Sequence, residues 1–281
     1  MKRPLVAGLS CFLLIWVLAS RDAVRGQQAP EPSVRVIALE RVVRIPVTTL
    51  TAQQEVETVA GSPGALIVWP GGPDERPEGP DGFDVLDDGG FLITNPLPQR
   101  ISEFDSEGKF RRAWKTGFSP DSVTVVPSGL VVVREATTGQ LHLFDREGRP
   151  QTGEIVLPQT GEARVLNGKS GTVARPPDGG ILQVHFDRPG LVLLSLESLA
   201  TDQAGNIYVA LETTAGGAAE GINVNKYVRK YSADGKLLGE ITDIPLDYFV
   251  TPVDELRVHK GIVYQLMTSS SEVRINVWNT N

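Results

Sequence analysis

Cysteine is almost missing from this chain: Cys11 is the only one in 281 residues, and it sits inside an N-terminal apolar run. Beyond that run the sequence excludes disulfides, thiol catalysis and cysteine-ligated metals. No Asn-x-Ser/Thr acceptor occurs, so no glycosylation site marks a surface. The three histidines, His142, His185 and His259, lie far apart and never form a His-Glu-x-x-His pair. A Gly-x-Ser-x-Gly elbow and a phosphate-binding glycine loop are equally absent. Ser106 and Lys109 match a Ser-x-x-Lys spacing, but they fall in a glycine turn without the helix that would align them. The apolar run Leu5–Ala19 is shorter than the ~20 residues that span a bilayer comfortably.

That run follows Lys2 and Arg3 and ends in Ala19-Ser20. A basic start, a short hydrophobic stretch and a small residue at the cut are the plan of a secretory signal over 1–26. Cleavage is expected after Ala19, with Gly26 as a second position; an uncleaved N-terminal anchor is the alternative. Cys11 lies too early in the run for a lipid-anchor signal. Residues 27–33 read as a flexible lead-in, and 34–281 as one domain. The missing cysteines and glycosylation sites favour a bacterial periplasmic or extracellular location.

Net charge is −7, and residues 1–26 carry a surplus of three positive charges, which leaves about −10 on the remainder. Such a surface repels phosphate backbones and anionic headgroups, so nucleic acid is excluded as a partner.

What the sequence does have is a segment that returns. Phe104-Asp105-Ser106-Glu107-Gly108 reappears as Phe144-Asp145-Arg146-Glu147-Gly148 and as Tyr231-Ser232-Ala233-Asp234-Gly235. An aromatic residue ends a strand, polar side chains make the turn, and glycine supplies its backbone angle. The first two copies are 40 residues apart and the third follows after 87. A period near forty with strand-like text predicts an all-β propeller of four-stranded antiparallel blades. In the clearest unit, 79–116, strands are expected at 80–85, 91–94, 100–104 and 109–114. Further units are expected at 119–156, 157–197 (degenerate), 198–241 and from 253 onwards. Val56–Trp69 places Trp69 over Trp114 and suggests a partial blade. Six blades are expected, with five as the alternative. Segment 34–50 either supplies inner strands to the partial blade or closes the last one.

Gly79–Gly117 resembles an NHL repeat, with a Pro-Asp-Gly-Phe start, an Asp-Asp-Gly-Gly turn, Arg100-Ile101 and then aromatic-Asp and Gly. Residues 198–241 are similar through Asp202, Gly205-Asn206 and Ile207-Tyr208-Val209. The resemblance runs over most of 79–281 at repeat level and extends to regucalcin and gluconolactonase-type propellers. It implies the fold first. For function it implies protein-binding platforms, substrate-binding proteins, sugar lactonases or lyases. It departs from the repeat at Asn95, where an acid is usual; Glu135, Asp187 and Glu212 keep the acid.

Polar residues collect at the ends of second strands: Asn95, Arg134, Glu135, His185, Asp187, Arg188 and Glu212. Superposed blades would set them on one rim of the central channel, beside the glycine-rich loop 212–225 and the Pro/Gly-rich stretch 70–82. Carboxylate and amide oxygens there suit Ca2+ or another hard divalent cation. Acids at strand ends equally cap turns by accepting from backbone N–H groups. His185, two residues from Asp187 on one strand face, has the placement of an oriented general base.

The sequence therefore points to an exported propeller acting as a binding or scaffold module. Its binding rim would be Asn95, Arg134, Glu135, Asp187, Arg188 and Glu212, with no cofactor and no catalytic set. Its partner would be a protein, a small molecule or a glycan. The alternative is a divalent-metal-dependent hydrolase or lyase of the gluconolactonase type, with Asn95, Glu135, Asp187 and Glu212 as ligands and His185 as base.

Overall fold

The computed structural model describes residues 34–51, 64–157, 161–175, 179–215 and 223–281. The signal segment, the lead-in, Val56–Pro63 and the centre of the glycine-rich loop lie outside the described residues. Among those described there is no helix, and all regular structure is strand.

β1 (Arg41–Thr49) and β2 (Leu66–Val68) come first in the chain but belong to the last sheet. β3 (Phe83–Val85), β4 (Phe91–Asn95), β5 (Arg100–Phe104) and β6 (Phe110–Lys115) form the first antiparallel sheet in that spatial order. β7 (Pro120–Val125), β8 (Val131–Glu135), β9 (Leu141–Phe144) and β10 (Pro150–Gln151) form the second. The third has three strands, β11 (Ala163–Asn167), β12 (Ser170–Arg175) and β13 (Gly180–His185). β14 (Leu191–Thr201), β15 (Ile207–Ala215), β16 (Val224–Tyr231) and β17 (Leu237–Ile244) make the fourth. β18 (Leu256–His259), β19 (Ile262–Thr268) and β20 (Glu272–Asn279) begin the fifth, which β1 and then β2 complete. The described residues thus form an all-β propeller with five sheets, each tracking one of the repeat units.

Both undecided segments find their place in the fifth sheet. β1 pairs antiparallel with β20, Arg41 opposite Val277 and Pro46 opposite Glu272. It supplies the fourth strand that β18–β20 lack and removes their open edge. β2 adds to β1 in parallel, Val47 opposite Leu66, so Leu66–Val68 extends this sheet and starts no other.

The cores lie between sheets. Phe83, Phe91 and Phe104 pack with Val43, Ile45 and Leu266 between first and fifth. Leu92, Ile101 and Trp114 meet Val123, Val133 and Phe144 between first and second. Leu182, Val184 and Phe186 meet Leu193, Val209 and Tyr227 between third and fourth, and Tyr208 and Val228 meet Val263 and Trp278 between fourth and fifth. Burying both faces of short strands explains why β4 reads as an apolar run, Phe91-Leu92-Ile93, that is wholly buried.

The recurring turn works as its residues suggest. Gly108, Gly148 and Gly235 have φ of 82°, 81° and 87°, a region in which glycine carries no Cβ penalty. Asp105 Oδ1 accepts from Lys109 N at 2.8 Å, and Asp145 Oδ1 from Arg149 N at 2.8 Å. In the third copy Ser232 Oγ does the same for Lys236 N at 3.0 Å.

Candidate functional site

The strands that head the sheets run side by side, β18 next to β3 and β3 next to β7, with β14 next to β18. Their ladders place Asp84, Thr124, Ala200 and Arg257 at one repeat position, opposite Leu92, Val132, Tyr208 and Tyr264. All four line a cavity of about 600 Å3. Alternation explains the column, because in β3 and β18 its flanking residues Phe83, Val85 and Leu256 are buried. No residue of β11–β13 reaches this cavity, and Leu157 stands on its wall instead. The first-hairpin turns close one end through Asp87, Pro127 and Gly129, with His259 at the end of β18 beside them.

The column is electrostatically organised. Asp84 Oδ1 accepts from Val85 N at 2.8 Å and Oδ2 from Val125 N at 2.6 Å, which fastens β3 to β7. Burial pushes its carboxyl up, while Arg257 and the two N–H groups oppose that. Arg257 Nη2 reaches Asp254 Oδ1 at 2.7 Å and Nε stands 3.8 Å from Asp84. Ser122 Oγ donates to Asp254 Oδ2 at 2.7 Å.

Three residues before the column comes a second repeat position, held by Asp81, Asp121 and Asp254. Arg134 grips Asp121 through two contacts, Nε–Oδ1 at 2.9 Å and Nη2–Oδ2 at 3.1 Å. Thr94 Oγ donates to Asp81 Oδ1 at 2.9 Å. Burial pushes the Asp81 carboxyl up to about 8; the Thr94 hydroxyl opposes this, and the charges of Asp121 and Asp254 add to it.

A separate network crosses from the fourth sheet to the fifth. Lys226 Nζ contacts Glu212 Oε1 at 2.9 Å and also pairs with Glu255. Glu255 accepts from Tyr248, and Gln265 Nε2 donates to Tyr248 Oη at 2.9 Å. Burial raises the Glu212 carboxyl, but Lys226 and the Ser195 hydroxyl at 3.0 Å bring it below its ordinary value.

The rim residues expected from the sequence are held by separate partners. Asn95 is buried, its Oδ1 accepting from Ile67 N at 3.2 Å and its Nδ2 donating to Ala65 O at 2.8 Å, so it fixes β2. Glu135 accepts from Thr138 Oγ at 2.9 Å and lies 3.4 Å from His142, whose ring stacks on Phe118. His185 and Asp187 share an exposed face, and Asp187 pairs with Lys169 at 2.8 Å. Arg188 lies over the Tyr227 and Phe186 rings, at 4.7 and 5.5 Å, and pairs with Glu240.

Arg134 and Glu212 join the networks above, and none of the six lines the cavity. Asn95, Glu135, Asp187 and Glu212 do not share a partner. Among the described residues no three His, Cys, Asp or Glu side chains are grouped to hold a metal ion, and these four are not brought together. Superposing the repeats on their turns, rather than on their second strands, would have exposed the column at 84, 124, 200 and 257.

No family model matches the chain, and no curated protein matches it. Solved structures do. A gluconolactonase from Xanthomonas campestris is 11% identical, with 86% of this chain and 99% of that one covered and a TM-score of 0.36. Virginiamycin B lyase from Staphylococcus aureus is 10% identical over 85% and 99%, TM-score 0.34. A calcium-binding protein, regucalcin, from Agrobacterium tumefaciens is 9% identical over 72% and 91%, TM-score 0.32. At these identities no residue and no activity carries over.

Proposed function

We propose that this chain is an exported propeller binding module whose ligand seat is the cavity lined by Asp84, Thr124, Ala200 and Arg257. The observation that carries this reading is the cavity itself: about 600 Å3, walled by strands of four different sheets. That volume falls within the ~300–1,000 Å3 of small-molecule sites. Its lining mixes valines with charges already held by neighbours, the composition of a seat that orients a ligand without reacting with it. The ligand is a small molecule, or a terminal group of a protein or glycan. Residues 1–26 direct the chain to the bacterial periplasm or beyond.

A wide panel of small molecules and glycans, read by thermal unfolding of wild type and Thr124→Trp, tests the reading. A ligand at ~100 times its Kd stabilises the native state by about 2.7 kcal/mol. Hits should vanish in Thr124→Trp while its own melting stays cooperative. Hits that survive the filled cavity would place the binding surface elsewhere.

The charges of Asp121 and Asp254 act on the buried Asp81 and favour a second reading, a divalent-cation-dependent hydrolase or lyase in which a cation replaces the Asp81 proton. Among the described residues the three are not grouped as a preformed metal site, and a cation would have to compete with Thr94, Arg134, Ser122 and Arg257 for their oxygens. Melting in EDTA and then with added Ca2+ or Mg2+ separates the two. An ion-selective rise that Asp121→Asn abolishes supports the enzyme reading, and no rise with any ion removes it.

A further inference from the structure

The outermost strand of each sheet has a free side that must be kept from other chains. Four of the five sheets protect theirs. β6 carries Arg111, Arg112 and Lys115, and β10 is two residues long and begins with Pro150. β17 is covered by Arg35–Ile37, Ile37 N donating to Glu240 O at 2.8 Å. Asn95 occupies the free side of β2, through Ile67 N and Ala65 O. β13 has no such device. It ends the third sheet, which has three strands where the others have four or five, and Ile181–His185 contains no proline, acid, lysine or arginine.

Hydrogen-bond alternation fixes which groups of β13 stay open. Phe186 N donates to Lys169 O at 2.8 Å, so Val184 and Leu182 face β12 in the same phase, opposite Gly171 and Val173. Ala174 N donates to Glu162 O at 2.7 Å on the other side of β12, which puts its opposite number Ile181 out of that phase. Ile181, Gln183 and His185 therefore turn their main-chain groups outward. Arg229 Nη1 donates to the His185 carbonyl. The three N–H groups and the other two carbonyls have no partner among the described residues. Ile181 is 63% exposed, and the side chains of Gln183 and His185 are exposed on the same face.

The room beside β13 suits a single strand. A methyl group on Gly235, in the β16–β17 turn, would stand 3.4 Å from Leu182 Cδ1, and Arg229 of β16 holds His185. β13 thus lies over β16, while β17 and Arg35–Ile37 project beyond it. A second copy offering its own β13 would drive its β17 against this one. Asp187 is paired with Lys169, and Glu240 with both Arg188 and Arg229, so no unmatched charge selects an acidic or basic segment. We propose that β13 receives an uncharged, extended segment of a partner protein as the fourth, antiparallel strand of the third sheet. Its branched aliphatic side chains face β17, and its polar ones stand beside Gln183 and His185.

A fluorescein-labelled peptide, Lys-Thr-Val-Thr-Val-Thr-Lys, tests this by anisotropy with the whole chain; its lysines fall outside the paired stretch. It should bind saturably below about 1 mM. Gln183→Pro removes an outward donor, leaves every bond to β12, and should keep cooperative melting while weakening the peptide by about tenfold or more. N-methylation of the central threonine, whose amide meets β13, should weaken binding as much. N-methylation of a valine, whose amide points away, should have little effect. Thr124→Trp should leave the peptide bound, since this surface is independent of the cavity.

Absence of saturable binding overturns the proposal, as does binding that ignores both Gln183→Pro and the threonine N-methyl group. The two N-methylated peptides decide the matter even if Gln183→Pro fails to fold. Sedimentation closes the remaining route: self-association that Gln183→Pro abolishes would assign the edge to a second copy and overturn the partner assignment.

Discussion

The indole of Trp114 lies so close on Gly148 that a methyl group there would stand 2.3 Å from its Cγ. Trp114 lies in β6 of the first sheet, one residue before its end, and Gly148 turns β9 into β10 of the second. The glycine therefore serves two demands, a φ of 81° and the seat of a neighbouring tryptophan. Gly148→Ala should cost roughly 2–4 kcal/mol through backbone strain and overpacking. Pairing it with Trp114→Leu should recover part of that loss, and chemical denaturation of both single variants and the double variant measures the coupling.

Asp84 carries a different link between the same two sheets. Asp84→Ala removes the acceptor of two backbone N–H groups, Val85 and Val125, in a buried setting. Each orphaned group costs about 1–3 kcal/mol, so an expected loss near ~3 kcal/mol should appear in urea unfolding. An unchanged midpoint would show that β3 and β7 hold together without it.

Stability should fall as pH rises through the neutral range. Asp81 has a pKa raised from 3.8 to about 8, so between those values the folded state retains a proton that the unfolded chain releases. Nothing is contributed below about 3.8, stability declines across the window, and the loss is complete above about 8. The slope from this one group approaches about 1.4 kcal/mol per pH unit at most. Asp81→Asn keeps an oxygen for Thr94 and should flatten the profile, gaining most at pH 8–9. Melting curves across the range, wild type against variant, decide it.

Two of the expected rim residues should respond very differently to truncation. Asn95→Ala strips buried partners from Ile67 N and Ala65 O and should cost about 2–3 kcal/mol. Asp187→Ala breaks a pair whose side chains are 71% and 68% exposed, and should stay within ~0.5 kcal/mol. Equal losses in thermal unfolding would contradict the burial pattern.

Much of the fold was legible because its rules are local. Phe104-Asp105 and Phe144-Asp145 announce the outer turn, and Gly108 and Gly148 its backbone angle. The inner hairpin at Asp87–Gly90 brackets two strands in the same way. Ring closure was not legible, since β1 alternates equally well for either role and its partner lies near the other end of the chain. The cavity column was hidden for another reason. Asp84, Thr124, Ala200 and Arg257 differ in chemistry, so no motif connects them; only their ladder position does. The polar strand ends drew attention instead, and Arg134 shows why such residues mislead: its charge is matched to Asp121 on the neighbouring strand β7.

The pairing of β1 with β20 also sets an order of events during synthesis. Arg41 leaves the ribosome long before Val277, its opposite number. At ~5–20 residues per second that interval is on the order of ten to fifty seconds. Throughout it β1 offers a free edge, and a strand able to fill the place is the β20 of another copy that has not yet closed on its own β1. Crowded translation should therefore produce strand-exchanged dimers, and slow dilution of unfolded chains should favour monomers. The same strand that seals each ring is the one through which two rings can interlock.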